Sequence, residues 1–240
     1  MNSIKSNIEN LTSLWQTVSE PFHAYFKEKD FEYSFVENSE WPNRLWFNEE
    51  IDQDQVADAK DKLNFLASGL VLPYWDIYHS DSFKLLEENG FHLKFEQIGM
   101  SLKADKVFAE LGNLKLIKIT TKKAFELWSV LFEKSFGYFI NPKLLNASYQ
   151  YIHYYIAYHY NEAVGTGVLF NTNKVSGIHS VGVIPEQRRQ GYAEDIMKLL
   201  INESIKMNSE YITLQASNMG KNLYLKLGFE EQFKIKNYIM

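Results

Sequence analysis

The most informative stretch of this chain is Val181-Gly-Val-Ile-Pro-Glu-Gln-Arg-Arg-Gln-Gly-Tyr-Ala193. Its apolar beginning predicts a strand that ends at Ile184-Pro185, and a tight turn then leads into a helix that begins near Tyr192. The first backbone N–H groups of a helix have no partner inside it and lie at the positive end of its dipole. The stretch therefore predicts a site for an anion, particularly a phosphate, at a strand-to-helix junction.

The residue types at this junction suit a phosphate-bearing ligand. Gly191 lets the backbone approach a ligand closely, and Ala193 keeps the start of the helix free of bulk. Arg188 and Arg189 add full positive charge beside the free N–H groups. The phosphate prediction therefore rests on the residues themselves.

The hydrophobic pattern predicts a mixed α/β fold for the second half of the chain. Thr121 is a predicted cap for the first helix there, and Asn161-Glu162 is a predicted hairpin turn. The predicted strands span residues 114–119, 151–160, 164–170, 175–184 and 211–216, with a last one from about residue 232, and the predicted helices span 121–136, 142–149, 192–207 and 219–227.

The segment Arg188-Arg-Gln-Gly191-Tyr-Ala193 resembles the motif Arg/Gln-x-x-Gly-x-Gly/Ala of the GCN5-related N-acetyltransferase (GNAT) superfamily. Val183-Ile-Pro185 also lies where that family has Val-x-Pro. The resemblance covers about the last 130 residues, which is a full domain length. It implies a GNAT-type acyl-CoA N-acyltransferase fold, with acetyl-CoA as co-substrate and a sheet whose fourth and fifth strands splay apart.

The resemblance also implies which residues bind coenzyme A. The pantetheine arm would pair with the strand around Val181 and Val183. Similar enzymes often have an asparagine where this chain has Ser217 followed by Asn218, and either side chain could contact the pantetheine or cap the next helix. The pyrophosphate would lie on the backbone of Arg188, Arg189, Gln190, Gly191, Tyr192 and Ala193.

Two residues are candidates for the chemistry. Tyr224 lies four residues before Gly228-Phe229, where similar enzymes place the tyrosine that protonates the coenzyme A sulfur, although it could simply pack the helix. His179 lies on the same strand face as Gly177, the position at which some relatives have a glutamate base. Its reference pKa of about 6.5 suits proton transfer. A structural hydrogen bond is an equally good role for His179, and a water relay could replace it as the base.

The first half resembles a shortened copy of the second. Leu85–Phe91 and Leu223–Phe229 share a helix-Gly-Phe form, with Leu86 in the place of Tyr224. The first half lacks the Arg-x-x-Gly-x-Ala motif, and the acidic stretch Glu49-Glu-Ile-Asp52 before its helix would repel phosphate. We therefore expect a degenerate GNAT-like lobe over residues 1–105 and the N-acetyltransferase domain over 106–240, with an unrelated helical cap as the alternative for the first.

Composition excludes several other classes of protein. A net charge of −5 and a pI of about 5.7 argue against nucleic acid as a partner. The absence of cysteine rules out thiolate catalysis and disulfides, and we expect no metal site. No apolar run reaches the roughly 20 residues of a membrane span, so we expect no membrane partner and a cytoplasmic protein, as a monomer or homodimer.

These observations predict an N-acetyltransferase that moves an acetyl group from acetyl-CoA to a primary amine of a small molecule or peptide. A non-catalytic acyl-CoA-binding sensor is the main alternative. Some aminoacyl-tRNA-dependent ligases pair two GNAT-like lobes, but the acidic balance disfavours that class.

Overall fold

The computed structural model describes residues 3–66, 69–109 and 112–240. The helices are α1 (Ser3–Ser19), α2 (Gln53–Leu66), α3 (Phe83–Glu88), α4 (Lys122–Phe136), α5 (Pro142–Ser148), α6 (Tyr192–Lys206) and α7 (Lys221–Lys226). The strands are β1 (Tyr25–Lys27), β2 (Phe31–Ser34), β3 (Arg44–Phe47), β4 (Leu72–Asp76), β5 (His92–Lys103), β6 (Leu114–Lys118), β7 (Ile152–His159), β8 (Glu162–Thr172), β9 (Val175–Val183), β10 (Tyr211–Ala216) and β11 (Glu230–Ile239).

The strands form the mixed α/β architecture that the sequence predicts. Strands β1-β2-β3 make one antiparallel sheet, and a larger sheet has the order β4-β11-β5-β10-β9-β8-β7-β6. In the larger sheet only β9 and β10 run parallel to each other among the paired strands described. A parallel bridge between Arg44 and Val71 joins β3 to β4, so the two sheets meet.

The two halves of the chain repeat one topology. We call residues 1–105 the N-terminal lobe and residues 106–240 the C-terminal lobe. Strands β1-β2-β3, helix α2 and strand β4 follow the same order as β7-β8-β9, α6 and β10. Each series then continues through a short helix, a Gly-Phe pair and a long strand, β5 in one lobe and β11 in the other.

The long strands β5 and β11 are exchanged between the lobes. β5 lies between β10 and β11 of the C-terminal lobe, and β11 lies between β4 and β5 of the N-terminal lobe. The predicted boundary at residues 105 and 106 therefore falls just after β5, while the sheet is continuous across it.

Strand β4 runs through a proline. Pro73 lies inside the strand and pairs with Asn237 of β11. Val71 N donates to Asn43 O on the side of the strand that faces β3. Pro73 lies two residues further along, so its backbone nitrogen faces the same side. Pairing with β3 is limited to the bridge at Val71, so the missing N–H of Pro73 costs no ladder bond.

Helices cover both faces of the large sheet. Residues of β8 alternate, so that Leu169 packs in the core under α6 while Val168 and Phe170 pack in the core under α4 and α5. Helix α1 of the N-terminal lobe lies on the α4 and α5 face, where Leu14 and Val18 enter that core. In the described parts of the chain, no helix combines the length and the apolar character needed to cross a membrane.

Candidate functional site

A slot opens between β9 and β10. The two strands pair from Tyr211 with Val175 to Thr213 with Gly177, and not beyond. Both strands continue, β9 to Val183 and β10 to Ala216. The backbone edges beyond Gly177 therefore diverge, which gives the splay that the family resemblance implies.

A bulge in β9 sets the side-chain directions along this slot. Ser180 has a φ of 54°, the register against β8 shifts there, and Thr166 Oγ1 donates to Ser180 O at 2.9 Å. A bulge adds one residue to a strand and changes which face the following side chains meet. His179 consequently faces α1, whereas Val181 and Val183 pack on the α6 side.

The start of α6 has the geometry of an anion site. Gly191 is the N-cap residue with a φ of 85°, and no side chain caps the helix. Arg189 also has a positive φ, 63°. No acceptor among the described residues receives the backbone N–H groups from Arg189 to Ala193. Alternating left-handed residues with free N–H groups form a nest that binds anions.

The Arg188 side chain holds the loop between β9 and α6 through two hydrogen bonds to backbone carbonyls. Its Nε donates to Val183 O at 3.1 Å, and its Nη2 donates to Ser135 O at 3.0 Å. The backbone N–H of Arg188 donates to Pro185 O at 3.3 Å. The N–H groups left for a phosphate therefore begin at Arg189, one residue later than the sequence predicted, and the exposed Arg189 side chain supplies the second charge.

Two further side chains of the motif are hydrogen-bonded, Gln190 inside the loop and Tyr192 to strand β7. Gln190 Nε2 donates to Gln187 Oε1 at 2.9 Å. The Tyr192 ring is buried, and its hydroxyl lies 2.9 Å from His159 Nδ1. These bonds hold the turn without using its backbone N–H groups.

Tyr224 lies on α7, directly after the splayed strand β10. Its ring packs on Gly220, where an added Cβ would come within 2.9 Å of Tyr224 Cε2, and meets Phe229 at 6.0 Å between centroids. Its hydroxyl makes no hydrogen bond with any described residue. Burial raises the pKa of Tyr224, so the hydroxyl keeps its proton at neutral pH and is free to donate it.

Ser217 and Asn218 have different roles. Ser217 Oγ accepts a hydrogen bond from Gly220 N at 3.2 Å and so closes the turn that precedes α7. The Asn218 side chain is exposed and makes no bond to the described residues. Of the two, Asn218 is the side chain available to a ligand.

Comparisons with known proteins agree with this geometry. The profile of the acetyltransferase (GNAT) domain family matches residues 150–231, which hold the splayed strands, the α6 junction and Tyr224. Residues 150–231 therefore carry the GNAT domain match. No curated protein sequence matches the chain.

Solved structures with this fold span nearly the whole chain. A GCN5-related N-acetyltransferase from Kribbella flavida is 11% identical with a TM-score of 0.74, over 95% of this chain and 93% of its own. One from Sphaerobacter thermophilus is 12% identical with a TM-score of 0.67, over 99% and 91%. A tandem GNAT protein from the clavulanic acid biosynthesis pathway is 10% identical with a TM-score of 0.61, over 98% and 96%. At these identities the likeness shows the fold, which therefore includes the N-terminal lobe.

His179 of the GNAT domain is held by the N-terminal helix. Asn10 Nδ2 donates to Phe170 O at 3.0 Å and to Thr172 Oγ1 at 2.9 Å, which directs Asn10 Oδ1 toward His179 Nε2 at 3.1 Å. The acceptor role of Oδ1 puts the imidazole proton on Nε2 and leaves Nδ1 with the lone pair. Burial lowers the pKa of His179 to about 4, with a hydrogen bond to Gln215 opposing that shift, so the ring is neutral at pH 7.

The same polar network fills the place of the family's glutamate. A Cβ added at Gly177 would overlap Asn10 Oδ1 and His179 Nε2. Asn7 extends the network, since its Oδ1 accepts from Gln215 Nε2 at 2.7 Å. A glutamate at position 177 would therefore need the N-terminal helix to move.

Sequence reasoning missed Asn7, Asn10 and Gln215. The signal was present in α1, because Asn7 and Asn10 are spaced three apart on the same buried face as Leu11 and Leu14. A buried asparagine on an apolar helix face needs hydrogen-bond partners. Their identity depends on strands some 160 residues away in the sequence.

No group of three or more His, Cys, Asp or Glu side chains that could hold a metal occurs in the ranges that the structure describes.

Proposed function

We propose that this protein is an N-acetyltransferase that transfers an acetyl group directly from acetyl-CoA to a primary amine of a small molecule or peptide. The observation that carries the proposal is the run of free N–H groups from Arg189 to Ala193 at the mouth of the β9–β10 slot. An anion site and an open strand edge side by side suit a ligand that has both a pyrophosphate and an extended amide-containing arm.

The residues assigned to coenzyme A lie on two elements. The nest from Arg189 to Ala193 would hold the pyrophosphate, with Arg188 keeping the loop in position. The backbone of Val181 and Val183 borders the slot that would take the pantetheine arm. Bound there, acetyl-CoA supplies a thioester as the acetyl donor.

Side chains of the protein would take part in the proton transfers. Tyr224 holds a hydroxyl proton at neutral pH and has no competing partner among the described residues, which suits donation to the departing thiolate. His179 is neutral and presents Nδ1, but its lowered pKa makes it a weak base. We therefore assign His179 to positioning the amine or a water molecule, with a water relay carrying the proton away.

The N-terminal lobe is proposed to be a degenerate GNAT-like lobe that shapes the acceptor pocket. Three observations support this: the repeated topology, the exchange of β5 with β11, and the contact of Asn10 with His179. The length match to a tandem GNAT protein also favours two lobes over an unrelated cap.

The test is release of coenzyme A by the purified protein from acetyl-CoA with a panel of primary amines. The chain contains no cysteine, so a thiol reagent reads coenzyme A without background from the protein. We expect release that depends on at least one amine. Binding of acetyl-CoA without release for any amine would favour the non-catalytic sensor instead.

A further inference from the structure

Arg44 is a cation whose charge is balanced by no carboxylate among the described residues. It begins β3 of the N-terminal lobe, and its Nη1 donates to the carbonyl of Asn43 at 2.8 Å. Its guanidinium carbon lies 6.0 Å from the ring centroid of Trp15. Within the part of the chain that the structure describes, no carboxylate forms an ion pair with it.

The surroundings of Arg44 make this lack of a partner costly. Burial lowers the pKa of Arg44, yet the residue keeps some solvent exposure. Arginine stays protonated under these conditions, and a desolvated guanidinium with most of its five N–H donors unused gains strongly from an anion.

Tyr138 adds a second donor near Arg44. The segment that holds Tyr138 is bonded to the loop before β3, because Glu40 N donates to Phe139 O at 3.0 Å and Asn141 N donates to Ser39 Oγ at 3.2 Å. The charge of Arg44 accordingly lowers the pKa of Tyr138, against the raising effect of burial. Its hydroxyl bonds to no described residue. The charge of Glu40 also raises the pKa of Tyr138, and its carboxylate accepts from Phe139 N at 2.6 Å without forming an ion pair among the described residues.

Two contacts place this pair beside the slot. The Tyr138 ring meets Phe136 at 6.3 Å, and Phe136 lies 2.5 Å from a Cβ added at Gly182 of β9. From the other side, Arg44 lies over the ring of Trp15, which belongs to α1, the helix that also carries Asn10.

We propose that Arg44 and Tyr138 bind a carboxylate group of the acceptor, so that the substrate is an amine that also carries a carboxylate, as an amino acid does. This inference rests on the proposed acetyl transfer and specifies its substrate class. A guanidinium fork matches the two oxygens of a carboxylate, and the tyrosine hydroxyl completes the set of donors. The amine at the other end of such a molecule would face the slot.

The experiment compares L-amino acids with the corresponding amino acid amides, which differ only in the carboxylate. We expect the parent protein to acetylate the acids with a kcat/KM at least about tenfold above that of the amides, since charge-assisted bonds are worth roughly 10- to 100-fold. Arg44→Gln should bring the ratio to within about threefold of unity, and Arg44→Lys should give an intermediate ratio. No preference in the parent, or an unchanged ratio in Arg44→Gln, would overturn the proposal.

Controls separate a specific effect from a structural one. Lys62→Gln also removes one positive charge from the N-terminal lobe, but Lys62 pairs with Glu28, so the ratio should stay unchanged. If Arg44→Gln lowers acids and amides equally, Arg44 is structural and the inference fails. If Arg44→Gln does not fold, Arg44→Lys and the parent ratio decide the matter.

A binding assay distinguishes failure of this inference from failure of the proposed function. If no amine is acetylated, the proposed function has failed. N-acetyl-L-phenylalanine and its amide are then titrated into the protein and followed by tryptophan fluorescence, because Trp15 lies beside Arg44. The carboxylate site is supported if the acid binds at least tenfold more tightly than the amide and Arg44→Gln removes that difference. Equal affinities of the parent protein for the acid and the amide would reject it.

Discussion

The two lobes contain the same strand-to-helix junction and satisfy it differently. In the C-terminal lobe, α6 begins at Gly191 and no side chain caps it. In the N-terminal lobe, Asp52 precedes α2, and its carboxylate accepts from Gln55 N at 2.9 Å while Gln55 Oε1 accepts from Asp52 N at 3.1 Å. This reciprocal pair is a capping box, which satisfies the N–H groups of Asp52 and Gln55 and offsets the helix dipole with the protein's own negative charge.

Topology alone therefore does not leave a helix start open to an anion. The N-terminal lobe supplies the negative charge from its own chain, and the C-terminal lobe supplies none, as our proposed phosphate site requires. The position after the last helix differs in the same way: Leu86 is fully buried in an apolar core, whereas the aligned Tyr224 keeps a hydroxyl with no partner among the described residues. Substitutions that alter one junction or the other test this contrast directly.

The largest effect is expected from Tyr224→Phe. This change removes only the hydroxyl, so packing against Gly220 and Phe229 should persist. The turnover number at saturating substrates should fall by roughly 10²- to 10⁴-fold, as for loss of a positioned acid. Tyr160→Phe, at an exposed tyrosine, is the control. A rate within about twofold of the parent would make Tyr224 structural.

Gly191→Val should weaken coenzyme A binding by about tenfold or more, measured by calorimetry. A φ of 85° strains a β-branched residue, although an added Cβ meets no atom within 4 Å. Gly90→Val is a matched control in the N-terminal lobe, because Gly90 has a φ of 89° and equally open surroundings. Equal losses of affinity in both variants would trace the effect to general strain and would contradict an anion site at Gly191.

Local sequence predicted the elements well and their pairing poorly. Strand β10 has the bounds that periodicity predicts, Tyr211–Ala216, and helix α6 (Tyr192–Lys206) ends one residue before its predicted end, because amphipathic spacing is a property of neighbouring residues. The exchange of β5 with β11 joins strands over 100 residues apart, and alternation within a strand does not specify its partner. The tether from Asn10 to His179 was missed for the same reason.

The pH dependence of stability should carry a contribution from His179. Its pKa is about 4 in the folded protein, against about 6.5 when unfolded, so the folded state favours the neutral ring. That stabilisation is fully present above pH 6.5 and is lost as the pH falls from 6.5 toward 4. His179→Gln should therefore lose less stability than the parent over this range in urea unfolding at a series of pH values. The control is His92→Gln at an exposed site, and parallel curves for His179→Gln and the parent would contradict the shift.

The smallest effect is expected from Asp52→Ala, the change that opens the junction of the N-terminal lobe. Loss of an N-cap should lower the free energy of unfolding by about 1 kcal/mol. Thr121→Ala, which removes the cap of α4 in the other lobe, should give a similar loss and is the matched control.

Coenzyme A affinity should be unchanged in both variants, and titration should end at one coenzyme A per chain in the parent. Glu49 and Glu50 keep the α2 junction acidic after Asp52 is removed, so Asp52→Ala should also bind one. A second equivalent bound by the parent would show that the capping box does not exclude the ligand, and the contrast between the lobes would then need another cause.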